Sequence, residues 1–526
     1  MRWVRKDQKK TVFDLKSDVI KESPLSSFSK ENLNRLSKDL GSSPDLIQRT
    51  IYPDYMTKTP VGIVYISGLV KEDIINQSIV QPILNYYSPT EQKVQNTYEF
   101  IRKHVLSNAN LRSENNWKQI ITALLSGSTI LFIEGFPSAL IANVAGGVTK
   151  PISEPTSQTV IRGPKDSFTE SIQTNIALVR RRIKSPNLWM HQLTIGNISQ
   201  TTVSVMYING VVNRKIVDEV IQKLSEIEID GVLESGYLES FIEDKAFSPF
   251  PTVFSTERPD VIAGNLLEGR VAIFIDNTPY VLVAPTSFTQ FFQSVEDYAQ
   301  RYDIATFLRI IRYFSFIVSI LAPSIYVALT AFHPEMIPTQ LLVNLAGQRE
   351  NLPFPSLIEA LAMELTFEVI REAGIRAPKA LNTAVTIVGA IVIGETAVTA
   401  GLVSPAMVIV VAITAIASFA TPSFPIAISA RLVRFPLIFL AATLGLFGVT
   451  IGTILIVAHM NTLHSFGVPY LAPFSPYIKE DQKDTIVRVP LWALRSRPKT
   501  LHTENPIRIP KDKKFSIQLP KGEKSE

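Results

Sequence analysis

The residues best placed to do chemistry are carboxylates in apolar company. Between 356 and 373 a helical pattern, opened by Pro353-Phe-Pro355, carries Glu359, Glu364, Glu368 and Glu372. The last three recur at every fourth residue and share one helix face, opposite Leu361, Leu365 and Val369. Paired carboxylates can serve acid–base chemistry. Here Arg371 and Arg376 lie within helical reach of Glu368 and Glu372 and can compensate them. The plain reading is an amphipathic interfacial helix over 354–373. The sharper one is an acidic vestibule in which Glu359, Glu364 and Glu368 attract cations.

Glu395 is the second focus. On a helix predicted over 383–402, Ala390, Gly394, Ala397 and Gly401 form a stripe of small residues that lets another helix approach closely. Ile387, Ile391, Glu395, Val398 and Leu402 form a second stripe. An ionisable group within an apolar segment is costly and usually faces protein or a water-filled path. With the small residues packed on neighbouring subunits, Ile387 and Ile391 form a hydrophobic constriction that gates by dewetting, with Glu395 above it. The alternative sets Glu395 at the membrane edge, solvated beside the Gly401-Leu-Val-Ser-Pro405 turn. Gly448 and Gly452 have GxxxG spacing in the last apolar run, a signal for helix–helix contact.

The rest of the catalytic vocabulary is missing. There is no Walker loop, no GxGxxG after a strand, no HExxH and no GxSxG. His459 and His464 are five apart rather than the three or four that puts two ligands on one helix face. Cysteine is absent, which excludes thiol redox chemistry, zinc thiolate sites and disulfides. No metal site and no cofactor are expected, and the chain does not read as an enzyme.

The elements that must position these residues divide the chain in two. Of 526 residues, 46% are hydrophobic and 19% charged, against a soluble norm of roughly 25% charged. Residues 1 to about 300 look soluble, whereas between 380 and 460 the charged side chains are Glu395, Arg431 and Arg434. Apolar stretches at 314–332, 384–394, 402–420 and 435–460 approach the roughly 20 residues that cross a bilayer. This excludes a purely soluble enzyme, a disordered chain and a disulfide scaffold. The start lacks the apolar core of a signal peptide, so the front half is expected on the cytoplasmic side. The net charge of +5 is modest and gathers near membrane flanks and the tail. It answers to anionic lipid and orientation rather than to nucleic acid.

Short β-branched runs at 61–70, 129–134, 202–212 and 270–285 predict strands, with amphipathic helices between them at 75–84 and 215–227. Such alternation indicates an α/β arrangement. Tyr65-Ile-Ser-Gly-Leu-Val aligns with Tyr207-Ile-Asn-Gly-Val-Val at an offset of 142, and Phe132-Ile-Glu-Gly-Phe-Pro aligns with Phe274-Ile-Asp-Asn-Thr-Pro at the same offset. Two matches in one register argue for duplication. The expected fold is an α/β cytoplasmic head of two similar tandem subdomains followed by an α-helical multi-pass transmembrane domain. Its parts are a polar, partly disordered arm (1–50), subdomain 1 (51–155), a connecting helix region (156–190), subdomain 2 (191–305), a transmembrane domain of about four to six segments (306–476) and a basic, proline-rich tail (477–526). In the connecting region Ser167-Phe-Thr-Glu170 has capping-box spacing, and Arg180-Arg-Arg-Ile-Lys184 suits a solvated helix end or a phosphate group.

The positive-inside rule would put the basic clusters at Arg309/Arg312, Arg371/Arg376/Lys379, Arg431/Arg434 and the tail on one side. That requires an even number of crossings between each pair. The single run over 435–460 would leave the tail on the other side, and 336–370 contains no clean span.

Long motifs carry a family resemblance. Pro353-Phe-Pro355, Met363-Glu-Leu-Thr-Phe-Glu-Val-Ile-Arg-Glu-Ala-Gly-Ile-Arg376, Ile387-Val-Gly-Ala-Ile-Val-Ile-Gly394 and Ala400-Gly-Leu-Val-Ser-Pro-Ala-Met407 resemble the A subunit of GerA-type spore-germination receptors. So do Arg162-Gly-Pro164, Thr256-Glu-Arg-Pro-Asp260, Asp297-Tyr298, Phe332-His-Pro-Glu-Met-Ile-Pro338 and Gly467-Val-Pro-Tyr470. The likeness runs in order from about 50 to 490. It implies a multi-pass protein of the inner membrane of bacterial endospores with its large head facing the core. It also implies partnership with a transporter-like B subunit and a lipoprotein C subunit, and homo-oligomerisation into a germinant-gated monovalent-cation channel. A non-conducting scaffold or signal-transducing subunit of the same receptor is the rival reading. The chain departs from the family's usual pattern in carrying Glu395 where Gln is common, and Ser67 and Gln158 where acidic residues are common.

Overall fold

The computed structural model describes residues 24–52, 59–85, 97–102, 111–146, 154–155, 158–350, 352–376 and 395–510. The chain forms two compact units, one of 1–243, 253–285 and 490–526 and one of Asp244–Thr252 and Thr286–Val489.

The first unit holds two five-stranded sheets. In the first, β1 (Leu46–Ile51), β2 (Val61–Ile66), β3 (Leu111–Glu114), β4 (Ser128–Ile133) and β5 (Ala139–Asn143) lie in the order β1-β2-β4-β5-β3. In the second, β6 (Leu188–Ile195), β7 (Thr201–Ile208), β8 (Phe254–Thr256), β9 (Val271–Ile275) and β10 (Val281–Ala284) lie in the order β6-β7-β9-β10-β8. The two orders are the same path, and the offset of 142 carries the cross-strand pair Gly62–Phe132 onto Ser204–Phe274. Every ladder in them is antiparallel.

Strands β2 and β4 are buried along their whole length because both faces of the sheet are covered. Leu33 and Leu36 of α1 (Ser29–Asp39) and Ile120, Ile121 and Leu124 of α2 (Trp117–Leu125) pack on one face with Phe132. Ile75, Ile79, Ile83 and Ile101 cover the other. A strand buried on both sides reads as a continuous apolar run rather than an alternation, which is how 61–66 and 128–133 read.

Two local expectations are corrected. The run at 270–285 is two strands, β9 and β10, because Asp276-Asn-Thr-Pro279 turns the chain with Asn277 at a φ of 68°. An asparagine tolerates that left-handed conformation better than most residues. The capping box at Ser167–Glu170 is not formed. The helix α3 (Ile172–Arg182) starts after Ser171, and the Ile172 N–H donates to Asp276 of the neighbouring turn at 3.1 Å. At its far end Arg180 is buried against Asp45 and Arg182 pairs with Asp166, so only Arg181 of the three is exposed.

The second sheet is flanked by α4 (Arg214–Ser225), α5 (Ser235–Ile242) and α6 (Pro259–Glu268). Residues 490–510 return to it. The Arg497 guanidinium donates to the Leu267 carbonyl at 2.7 Å, Arg508 pairs with Glu268 at 3.1 Å, and the Glu504 N–H donates to the Val211 carbonyl at 3.0 Å. Burial lowers the Arg497 guanidinium to about 10, with Arg508 adding repulsion.

On α5 burial, with Glu243 and Glu234 nearby, raises the Glu239 carboxyl to about 7. Its folded value thus exceeds its unfolded one. The stability it contributes is full below about 4.5 and is lost as pH rises through about 7. Because Glu239 keeps some solvent contact, the ceiling of about 3 kcal/mol shrinks to about 1–2 kcal/mol. Glu239→Gln is therefore expected to raise the unfolding midpoint at pH 8 and to leave it unchanged at pH 4.5, as read by thermal melts at both pH values.

In the second unit α7 (Tyr302–Phe332) and α11 (Phe424–Thr462) are long and apolar enough to cross a membrane, and α10 (Pro405–Phe419) is a shorter apolar helix. Between α7 and α10 lie α8 (Thr339–Arg349) and α9 (Ser356–Arg376). The core joins Val327 and Ala328 of α7, Ala360 and Met363 of α9, and Met407 and Val411 of α10 to α11 through Ile438, Ala441 and Val449.

Candidate functional site

Helix α11 is not one rod. Gly445 has φ 62° and ψ −145°, outside the helical region and open in practice to glycine alone. A Cβ placed on Gly448 would lie 2.2 Å from the Leu440 carbonyl oxygen, and one on Gly452 would lie 2.5 Å from Leu437. In a straight helix residues 437 and 452 stand about 22 Å apart. The chain therefore folds back at Gly445 into two arms, 424–444 and 446–462, with Gly448 and Gly452 seated on the first arm. The tip touches Phe332 and His333 at the end of α7.

Polar contacts fix the direction of the other helices. Glu364 pairs with Arg434, and Glu368 pairs with Arg431 at 2.5 Å, so α9 runs antiparallel to the first arm. Glu359 accepts from the Ser404 N–H at 2.5 Å and Arg371 donates to Ser418 at 2.8 Å, so α9 and α10 run parallel. Arg434 also donates to the Ser319 carbonyl at 2.7 Å, and further along both segments Gly445 meets Phe332, so α7 runs parallel to the first arm.

The three glutamates predicted to attract cations come together along α9, and each has a partner within the protein. Glu364 is fully buried, and Glu359 is nearly so. Glu359 caps α10, accepting from both the N–H and the hydroxyl of Ser404. Glu372 pairs with Arg376 at 2.6 Å, one turn along. Sequence reasoning missed Arg431 and Arg434 as the partners of Glu368 and Glu364. The available signal was spacing, since glutamates four apart and arginines three apart each occupy one helix face.

Of the proposed gating stripe, Ile387 and Ile391 lie outside the described residues, as do Ala390 and Gly394 of the small-residue stripe. Glu395 is exposed, and Ala397 and Val398 are half-buried against the helical core. Gly401 follows in a turn with a φ of 65°.

At the start of α7 a second charged cluster centres on Arg309 and Asp297, both fully buried. Arg309 donates to Asp297 at 2.7 Å and to Asp484 at 2.8 Å, and Arg312 donates to Asp297 at 2.8 Å. The Tyr298 hydroxyl donates to Asp484 at 2.8 Å. Arg309 and Arg488 each lie 5.6 Å from the centre of the Tyr298 ring. In the first unit Arg258 pairs with Asp260 at 2.7 Å and donates to the Pro164 carbonyl at 2.8 Å. The motif pairs Asp297-Tyr298 and Arg162-Gly-Pro164 are thus parts of arginine-centred clusters.

The profile of the Bacillus/Clostridium GerA spore germination proteins matches residues 34–500. The chain belongs to the GerA family. It is similar to spore germination protein KA of Bacillus subtilis (strain 168), with 48% identity over 486 residues that cover 92% of this chain and 88% of that one. To spore germination protein GerLA of Bacillus cereus it is 37% identical over 484 residues, 92% of this chain and 98% of the relative. The crystal structure of the N-terminal domain of the A subunit of the Bacillus megaterium spore germinant receptor GerK3 is 38% identical in sequence. It covers 51% of this chain and 99% of that one, with a TM-score of 0.41.

Proposed function

We propose that this GerA-family protein is the multi-pass membrane subunit of a spore germinant receptor, without enzymatic activity, whose copies assemble around a monovalent-cation path opened by germinant. It would work with a transporter-like B subunit and a lipoprotein C subunit in the inner membrane of the endospore, its head on the core side. The observation that carries the membrane reading is the outward apolar surface of the second unit. Phe314 and Ile317 of α7, Ile416 of α10, and Phe439, Phe447 and Ile454 of α11 are all more than half exposed. Contiguous apolar surface of this kind calls for lipid or other copies.

Chain direction supports several crossings. Helix α7 runs one way and α9 back. Helix α10 runs parallel to α9, and the two arms of α11 would add one passage each way. The first unit contains residues from before and after this helical stretch, which supports an even number of crossings. The turn at Gly445 supports a tail on the same side as the head, because the 435–460 run would then pass twice.

The conducting path would follow Ile387, Ile391, Glu395 and Val398. Ile391→Ala should ease wetting of a closed constriction. A new cation leak is expected in growing cells that express the receptor set, reversed by a bulky residue at 391. Assembled protein without leak would favour the rival reading, a non-conducting scaffold that passes the signal on. One observation speaks for that rival. Glu364 and Glu368 are answered by Arg434 and Arg431 and offer less to a passing cation than free carboxylates would.

A further inference from the structure

The paired glutamates belong to a cluster with an excess of positive charge. Arg371, Arg431 and Arg434 face Glu364 and Glu368, three guanidinium groups against two carboxylates, and Arg371 lies within electrostatic reach of the other four. Arg434 is held by Glu364 and the Ser319 carbonyl, and Arg431 by Glu368. Arg371 has no carboxylate within bonding distance among the described residues. It donates to Ser418 and lies over the Phe419 ring, 4.7 Å from its centre.

Donors remain unused. Buried Arg371 Nε, Arg431 Nε and Arg434 Nη2 have no hydrogen-bond partner, and neither do Glu364 Oε1 and Glu368 Oε1, so the charge left over is the one on Arg371. A surplus positive charge on the partly exposed Arg371 calls for an anion, and the guanidinium fork matches phosphate oxygens. Position favours one source. Arg371 sits beside Ser418 and Phe419, the last residues of α10, and Phe419 and Ile416 are each 70% exposed around it. That is one end of the helices, where a bilayer presents its headgroups, on the side to which basic residues are drawn.

We propose that Arg371, with Arg431 and Arg434 behind it, binds the phosphate of an anionic phospholipid headgroup. The site rests on the membrane reading above, and its test separates the two. The full chain, purified in mild detergent and stripped of lipid, is melted with phosphatidylglycerol, with phosphatidylcholine and with inorganic phosphate. Phosphatidylglycerol is expected to raise the midpoint well beyond phosphatidylcholine, and Arg371→Gln to weaken its apparent affinity at least tenfold. Arg376→Gln, at an exposed residue paired with Glu372, should leave the response unchanged.

Equal shifts with both lipids would overturn the site while keeping the membrane reading. Indifference to every lipid, with protein soluble without detergent, would overturn both. A full shift with inorganic phosphate alone would assign the site to a free anion. A change of oligomeric state in Arg371→Gln with unaltered lipid response would assign the excess charge to a carboxylate of a second copy. Should that variant fail to accumulate, mass spectrometry of the wild-type protein decides, since absence of retained phosphatidylglycerol would overturn the proposal.

Discussion

Arg309→Ala is expected to destabilise the protein by about 3–5 kcal/mol, the usual cost of removing one partner from a buried ion pair. The loss is large because Asp297 is as deeply buried as Arg309 and cannot recover its hydration. Arg309 also holds the segment at 484–485, donating to the Asp484 side chain and to the carbonyls of Asp484 and Thr485. Arg312→Ala should cost less, since Asp297 keeps its bond to Arg309. Arg309→Lys should fall between the two, because one ammonium cannot span Asp297 and Asp484 as the planar fork does. Thermal melts of the detergent-solubilised chain, with limited proteolysis to find the loosened segment, check the order. An Arg309→Ala midpoint equal to that of wild type would mean the cluster is hydrated and does not fasten the segment to α7.

Gly445→Ala carries the second large effect. A Cβ there would stand 2.6 Å from the His333 ring and 2.9 Å from the Phe332 Cβ. The backbone conformation adds about 1–3 kcal/mol of strain for a non-glycine residue, and the forced overlap adds about 1–3 kcal/mol more. The sequence would then favour a straight helix over 424–462, which moves the second arm and all that follows it. Gly347→Ala is the matching control, because its Cβ would meet nothing within 4 Å in helix α8. That change should stabilise by about 0.4–1 kcal/mol. A cysteine pair at Leu437 and Gly452, tested for cross-linking with and without Gly445→Ala, reads the fold-back directly. Cross-linking that survives the substitution would sink the account of the turn.

The sheets were legible because their strands repeat. The run from Val61 and the run from Val203 share residues in register, and a strand covered on both faces is a block of β-branched residues that can be read without tertiary knowledge. The fold-back was not. Leu444-Gly-Leu-Phe-Gly448 sits in an unbroken apolar run, and glycine is common inside membrane helices, so nothing local separates a reversal from a passage. The pairing of Glu364 with Arg434 was half visible. Their spacing showed which faces the charges occupy, but whether a carboxylate meets solvent, a cation or an arginine depends on which helices become neighbours. The turn at Asp276-Asn-Thr-Pro279 failed for a simpler reason, since β-branched residues on both sides made one run of two strands.

The return of residues 490–510 to the second sheet has a consequence for biosynthesis. The Leu267 carbonyl at the end of α6 and the Val211 carbonyl are covered by Arg497 and Glu504, which leave the ribosome after everything between Pro285 and Pro490. At roughly 5–20 residues per second, those some two hundred residues take on the order of 10–40 s to make. Throughout that interval the nascent head lacks its closing segment while the apolar helices are still being made. A chain cut short anywhere in the helical stretch would therefore carry a head that is already folded in outline and still open along one edge, ready for a chaperone or a protease to recognise.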